Sequence, residues 1–399
     1  MTPEADAALS LADVIALLEQ RYPPSTAESW DAVGTVCGDP DQRVRKVLFA
    51  VDPTRLVVDE ALEWGADLLV THHPLLLRPV HSVAATTFKG AIVHRLIRGG
   101  CALHVAHTNA DSAPGGVAEA LALAIGLTDL TPLVPQVAEP VDKHVVLVPE
   151  THAEDLVDAM AAAGAGALGA YSRCAWTTTG EGTYLPGAGA NPTIGQVGVV
   201  EHVPEARIEM VAPRRLRAGV VAAVQAAHPY EEPAFDVLEP ASLPLTGLQG
   251  TGTGRVGVLS EPTTLEGFAR QVAAALPRTA QGVRVAGDLA ATVRRVAVVG
   301  GSGDSLFDAV RASGADVYVT ADLRHHPASE LRERAEHEVR GPALVDVAHF
   351  ASEWPWLEHA ARTLVRDLAD RGTTVETRVS TLSTDPWTTR IASTEGTSL

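Results

Sequence analysis

Two stretches of the chain repeat at one fixed spacing. VLFAV from Val47 aligns with VAVVG from Val296, and GADLLVT from Gly65 aligns with GADVYVT from Gly314, so both pairs share an offset of 249 residues without a gap. Each copy reads as an apolar strand, a helix and a second apolar strand, and continuous apolar strands of this kind are buried on both faces. A duplicated β-α-β unit therefore sets the architecture: an α/β protein with mainly parallel pairing, its second half split off by an insertion. Convergent wording is the alternative, since GAD before a strand is common, but identical spacing is harder to reach by accident.

Around the first copy, periodicity predicts a helix over 11–22 with Ser10 as N-cap, a strand over 47–51, a helix over 54–64 and a strand over 66–70. A helix over 88–98, a strand over 102–106 and a helix over 117–125 follow. Residues 128–142, carrying Pro132, Pro135 and Pro140, read as a linker. The next block runs strand (145–149), helix (153–163), short β segments, helix (214–226) and strand (234–237). That β-α-β-β-α-β order matches a split βαβ, ferredoxin-like unit. A Pro/Gly-rich stretch at 240–254 closes it, and strand–helix alternation resumes. The expected organisation is an α/β first half over 1–130, a ferredoxin-like α+β insertion over 140–242 and an α/β second half over 250–399.

Composition narrows the function classes. With 31 basic and 49 acidic side chains among 399 residues, the formal net charge is −18, which repels phosphate backbones and anionic lipid and makes nucleic acid and membranes poor partners. A hydrophobic content of 46% leaves ample apolar mass for packed cores. The three cysteines, Cys37, Cys101 and Cys174, are odd in number and widely spaced, which suits a reducing compartment. No basic region precedes the first apolar stretch and no run of 18 apolar residues occurs, so a soluble cytoplasmic protein is expected.

The 15 histidines are the chemical hint, and three places concentrate metal-type ligands. THHP, Thr71 to Pro74, directly follows an apolar strand, and ligands in open α/β sheets collect at the carboxyl ends of strands. AHTNAD, Ala106 to Asp111, follows another strand and holds His107 and Asp111 four apart. VDVAHFASEW, Val345 to Trp354, follows a third; in a helix His349 and Glu353 lie one turn apart on one face and can grip one ion. Singly, each reads equally as a packed histidine or a solvated helix face. Together they supply more mixed nitrogen and oxygen donors than one tetrahedral ion needs, which points to two metals about 3.5–4 Å apart with a bridging carboxylate.

Other signals are weaker. Gly252-x-Gly254-x-x-Gly257 matches the dinucleotide fingerprint literally but runs into a strand rather than from a strand into a helix; it reads as a loop. Gly300-Gly301-Ser302-Gly303 is either an anion-binding turn or a plain βα turn. Asp322, His325 and His326 follow the repeat's second strand, in the place of His72 and His73, and either line the same crevice or begin a surface helix. HPYEEP at His228 reads as a site or as a turn locking a β edge.

With these residues in hand, the chain resembles the NIF-three-like family, the dinuclear-metal proteins labelled GTP cyclohydrolase I type 2 homologues. The matching pieces are WDAVGTVCGDP at Trp30, GADLLVTHHPLLL at Gly65, AHTNAD at Ala106, VGGSGDS at Val299, DVAHFASE at Asp346 and TDPW at Thr384. The middle block, with its long stretch from Gly169 and HPYEEPAFDV at His228, is similar to the PII/CutA-like insertion of longer bacterial members. Ala170 stands where an Asn is usual and Leu77 where an aromatic is usual. The resemblance implies two divalent metal ions, zinc, iron, manganese, cobalt or nickel. His72 and Asp111 would hold one ion and His73 and His349 the other, with Glu353 bridging; His107 and His326 would lie near the site. It also implies a toroidal homohexamer.

Two functions follow from different classes. The first is a hydrolase in which a metal-bridging hydroxide attacks a nucleotide or related small molecule, with His326 or His107 moving a proton as catalytic residue. The second is a non-enzymatic metal-handling protein or regulatory adaptor, motivated by the PII/CutA-like insertion.

Overall fold

The computed structural model describes residues 9–136, 140–169, 171–241, 250–338 and 341–392; Ala170 and the central parts of both Pro-rich stretches lie outside them. In chain order the first part holds α1 (Leu11–Arg21), β1 (Gly34–Cys37), β2 (Lys46–Ala50), α2 (Arg55–Trp64), β3 (Leu68–Thr71), α3 (Phe88–Gly99), β4 (Ala102–Val105), α4 (Thr108–Ser112), α5 (Val117–Ala124) and β5 (Leu127–Pro135). The middle holds β6 (Val141–Pro149), α6 (Ala153–Ala162), β7 (Ala175–Tyr184), β8 (Glu201–Pro213), α7 (Arg217–Ala227) and β9 (Ala234–Leu238). The last part holds β10 (Gly252–Thr264), α8 (Leu265–Ala275), β11 (Arg284–Ala286), β12 (Thr292–Ser302), α9 (Phe307–Ser313), β13 (Val317–Ala321), α10 (His325–His337), β14 (Ala343–Val347), α11 (His349–Ala369) and β15 (Glu376–Val379). The helices start where side chains can cap them: Ser10 and Asp13 form a reciprocal capping box on α1, and Thr54, Thr87 and Thr264 cap α2, α3 and α8. None of the described helices is long and apolar enough to cross a membrane.

The chain falls into two compact units, Val137–Gln249 and the remainder on either side of it. The larger unit has two mixed sheets. One runs β1-β4-β3-β2-β15, parallel except at β1; the other runs β11-β14-β13-β12-β10-β5, with a parallel centre of β14, β13 and β12. The 249-residue offset persists in their register: Val47 pairs with Leu68 and Val296 with Val317, Phe49 with Val70 and Val298 with Val319. Even the loop bonds repeat, because Asp67 accepts from the backbone of Arg45 and Lys46 as Asp316 does from Arg294 and Arg295.

Strand alternation divides the apolar side chains between faces. Val47, Phe49, Leu68 and Val70 pack with α1, α5 and α11, while Leu48 and Leu69 pack with α2 and α3. In the second sheet Val296, Val298, Val317 and Val319 face α5, α8 and α11, and Ala297 and Tyr318 face α9 and α10. Helix α11 thus touches both sheets, with Trp356 and Leu357 fully buried. Its first turn is carried to the carboxyl ends of β3 and β4.

Two expectations need correction. Residues 127–135 form strand β5, not a linker; among the described residues β5 pairs with β10 alone, at the sheet's edge, where Pro132 and Pro135 deprive no second neighbour of a donor. The Gly252/Gly254/Gly257 fingerprint lies within β10 rather than in a loop. A side chain at Gly252 would meet Val134 O at 2.3 Å and one at Gly257 would meet Thr128 O at 2.8 Å, so these glycines allow close crossing of β5.

The smaller unit is an antiparallel sheet ordered β7-β8-β6-β9. Leu156, Val157 and Met160 of α6 and Val220 and Val224 of α7 pack on Val146, Val148, Ile208 and Met210 of its central strands. The HPYEEP segment turns here: His228 Nε2 lies 2.8 Å from Leu147 O, and its Nδ1 accepts from Tyr230 N.

Candidate metal centre

The site is built where strands end. His72 and His73 leave β3, and the backbone N–H groups of both still donate to the neighbouring strand segment, at Ala50 O and Val51 O. His107 leaves β4, and His349 and Glu353 open α11 directly after β14. The turn places both rings of the HHP pair toward α11: Glu353 Oε1 lies 3.4 Å from His72 Nε2 and 2.9 Å from His349 Nε2, and Oε2 lies 3.1 Å from His73 Nε2. Asp111 Oδ1 stands 3.7 Å from His72 Nε2. His72, His73 and His107 form one group whose donor atoms lie within 4.8 Å of one another, and His73, His349 and Glu353 form another.

Each imidazole is aimed by a partner on its other nitrogen. His72 Nδ1 is 3.0 Å from Ala106 O, His73 Nδ1 2.7 Å from Asp52, His107 Nδ1 2.8 Å from Asp31 and His349 Nδ1 2.6 Å from Asp322. These contacts leave the Nε2 atoms facing one another, the arrangement of metal-ligating histidines held by carboxylates and carbonyls behind them. Asp52 is in turn bonded by Thr384 of the TDPW segment, and Asp31 accepts from the Thr108 backbone and hydroxyl. Asp322 adopts a left-handed conformation, φ 54°, to reach His349.

Charge shapes the cluster. Burial pulls His72 and His73 down, but the Glu353 carboxylate, with Asp111 for His72 and Asp52 for His73, overcomes it and leaves both above the ordinary imidazole value. The same contest raises His349 to about 9. Burial works against ionisation of Glu353, yet the three surrounding histidines hold it well below the carboxylate range. Burial, with the nearby Glu353 charge, pushes Asp111 up despite His72.

The donors fit a metal. His72 Nε2 and Glu353 Oε2 are buried and, although they stand 3.4 Å from Glu353 Oε1 and 3.1 Å from His73 Nε2, neither makes an aligned hydrogen bond among the described residues, the kind of buried polar atom that requires another explanation. His73 Nε2 and His349 Nε2 approach to 3.2 Å, two ring nitrogens facing each other. Gly301, φ 67°, floors the cluster; a Cβ there would stand 2.8 Å from Glu353 Oε1. A crevice of about 530 Å³ opens beside it, lined by Trp30, His107, Asp111, Ser302, His349 and Glu353 among others.

Of the residues singled out from sequence, His72, His73, His107, Asp111, His349 and Glu353 come together here. His326 does not: with His325 it opens α10, exposed, on a separate depression with Phe307, Arg311 and Glu330. Asp322 is the member of that segment that reaches the cluster, and in the 249-residue offset it occupies the place of His73. Asp52, Asp31 and Thr384 were not singled out as individual residues. Asp52 lies two residues past β2 as His73 lies two past β3, so the strand-end rule that found the histidines also points to it.

Residues 9–386 match the family profile described as Duf34/NIF3 (NGG1p interacting factor 3). A Mycobacterium tuberculosis protein named GTP cyclohydrolase 1 type 2 homolog is 52% identical over 379 residues, 94% of this chain and 96% of its own. A Streptomyces coelicolor protein of the same name is 41% identical over 384 residues, 96% and 95% of the two chains. The crystal structure of a Bacillus cereus protein related to NIF3 aligns with a TM-score of 0.63 at 37% identity, over 96% of this chain and 99% of that one. With residues 9–386 matched and its strand-end histidines gathered around Glu353 of α11, the chain belongs to the Duf34/NIF3 family.

Proposed function

We propose that the cluster holds two divalent metal ions and that the protein is a metal-dependent hydrolase acting on a nucleotide or related small molecule. The observation that carries the reading is the Glu353 carboxylate, buried and facing the Nε2 atoms of three histidines at 2.9 to 3.4 Å. His72, His73, Asp111, His349 and Glu353 would hold the ions, with Glu353 shared between them and His107 at the edge. When bound, such a pair lowers the pKa of coordinated water toward neutrality and polarises a substrate oxygen. The protein's own part is to fix the imidazoles through Asp52, Asp322 and the Ala106 carbonyl, and to present His107, backed by Asp31, toward the crevice as a group able to carry a proton. Trp30, itself exposed, packs edge-on against His107 at 6.0 Å. Zinc, iron, manganese, cobalt and nickel all suit the donor set.

We read the smaller unit as a ferredoxin-like, PII/CutA-like insertion of about residues 140–242, supported by its strand order and two-helix face, and the flanking parts as duplicates, supported by their shared register. The family resemblance extends the reading to a cytoplasmic homohexamer. The test is turnover: metal-replete protein is expected to hydrolyse GTP, another nucleotide or a phosphoester, and His72→Ala is expected to lose that activity. Absence of turnover across all of these overturns the reading. Metal handling or a regulatory role is the second reading, supported by the second compact unit, Val137–Gln249, carried beside the metal-type donor set. It predicts ions that exchange rapidly against a chelator; exchange over days counts against it.

A further inference from the structure

His73 and its partner Asp52 also form one wall of a second depression, about 400 Å³ in volume. Pro53, Pro74, Leu75 and Ile92 supply apolar surface, and Phe88 is 74% exposed beside them. Three cations line the same space: Arg55 from the start of α2, and Lys89 and Arg95 from α3. Arg55 and Arg95 both approach Asp59, Arg55 at 3.4 Å. Lys89 lies 5.9 Å from the centre of the Phe88 ring, and among the described residues it has no carboxylate partner. Asp52 is already committed to His73 and Thr384. The lining therefore keeps net positive charge in a chain whose formal charge is −18. Both helices that open here turn their positive ends toward it. By contrast, the crevice on the Trp30 side has no Lys or Arg among the described residues that line it.

We propose that this depression is the anion-binding half of the substrate site, taking the phosphate of an organic phosphate ester on Arg55, Lys89 and Arg95 while the ester's apolar or aromatic body lies on Phe88, Leu75 and Ile92. Guanidinium and ammonium groups are the usual phosphate donors, and the volume suits a small organic ligand. The assignment rests on the cluster being the reacting centre described above. His73 belongs both to this lining and to the cluster with His349 and Glu353, so the negative charge of the substrate is placed on the His73 side of the reacting centre.

Phenyl phosphate is the probe. Calorimetric titration of metal-free protein at low ionic strength is expected to give saturable binding, weakened about tenfold in Lys89→Gln and in Arg55→Gln by loss of one charge-assisted contact. Phe88→Ala is expected to weaken phenyl phosphate and leave inorganic phosphate unchanged. Absence of saturable binding, unchanged binding in both charge variants, or equally tight binding of benzoate overturns the proposal. A second readout separates it from the metal reading. In manganese-loaded protein the phosphorus resonance of bound phenyl phosphate is expected to broaden. Manganese bound without broadening overturns the shared site, whereas failure to bind manganese or any other divalent ion overturns the metal reading.

Discussion

Substituting Gly301 by alanine tests how closely the backbone is fitted to the metal cluster. Gly301 has φ 67°, its N–H donates to Ser352 Oγ at 2.8 Å and its carbonyl accepts from Thr320 Oγ1 at 2.9 Å. Two costs follow. An L side chain in the left-handed region costs about 1–2 kcal/mol. The new Cβ also meets Glu353 Oε1 at 2.8 Å and His349 Nε2 at 3.2 Å, so the buried carboxylate must retreat by several tenths of an ångström, more than the roughly 0.2 Å a metal site tolerates. Gly314 separates the two costs: its φ is 69° and a Cβ there meets nothing within 4 Å. In urea unfolding with chelator present, Gly314→Ala is expected to lose about 1 kcal/mol and Gly301→Ala at least as much. In competition with a chelator, only Gly301→Ala is expected to lose metal affinity, by about 10–100-fold. Equal metal affinity in the two variants refutes the reasoning.

Three other perturbations give independent checks. Because His349 lies at about 9 in the metal-free protein, zinc binding near pH 8 must expel at least one proton, and affinity rises with pH until about 9; calorimetry showing no dependence on buffer ionisation enthalpy contradicts this. Burial lowers His104 to about 4, so the unfolded chain takes up its proton first as pH falls below about 6.5. Stability from this group is therefore full above about 6.5 and falls by about 3 kcal/mol once pH passes 4; His104→Gln should flatten that acid limb, and an unchanged limb argues against it. Arg255 is 1% exposed and donates to Gly252 O, Gly254 O and Ala113 O at 2.7 to 2.8 Å, with Glu119 at 3.4 Å. Arg255→Met strands these acceptors and should cost about 3–5 kcal/mol; a urea midpoint close to wild type sinks the argument.

The parts legible in the sequence were those with local periodicity or fixed spacing. Val47 and Val296 announce buried parallel strands because both faces are apolar, and their common offset reappears as common register. His349 and Glu353 meet because four residues make one helical turn. What was not legible depended on neighbours distant in the chain. Pro132 reads as part of a linker until β5 is seen to be an edge strand, and the β10 glycines read as a loop until β5 is seen to pair closely against them. Of the carboxylates behind the histidines, Asp52 and Asp322 lie just past strand ends, but no local pattern joins Asp31 to His107. Nor does one join Thr384 to Asp52, which are 332 residues apart. His326 shows the converse, since proximity in sequence to Asp322 did not bring it to the cluster.

The central claim is that Glu353 and its histidines hold metal, and elemental analysis of protein purified without chelator tests it most directly. Wild type is expected to carry about two divalent ions per chain, and Glu353→Ala, which removes the carboxylate facing His72, His73 and His349, is expected to lose most of that content while remaining folded by circular dichroism. A wild-type protein without stoichiometric metal, or a folded Glu353→Ala variant that keeps its full complement, contradicts the account.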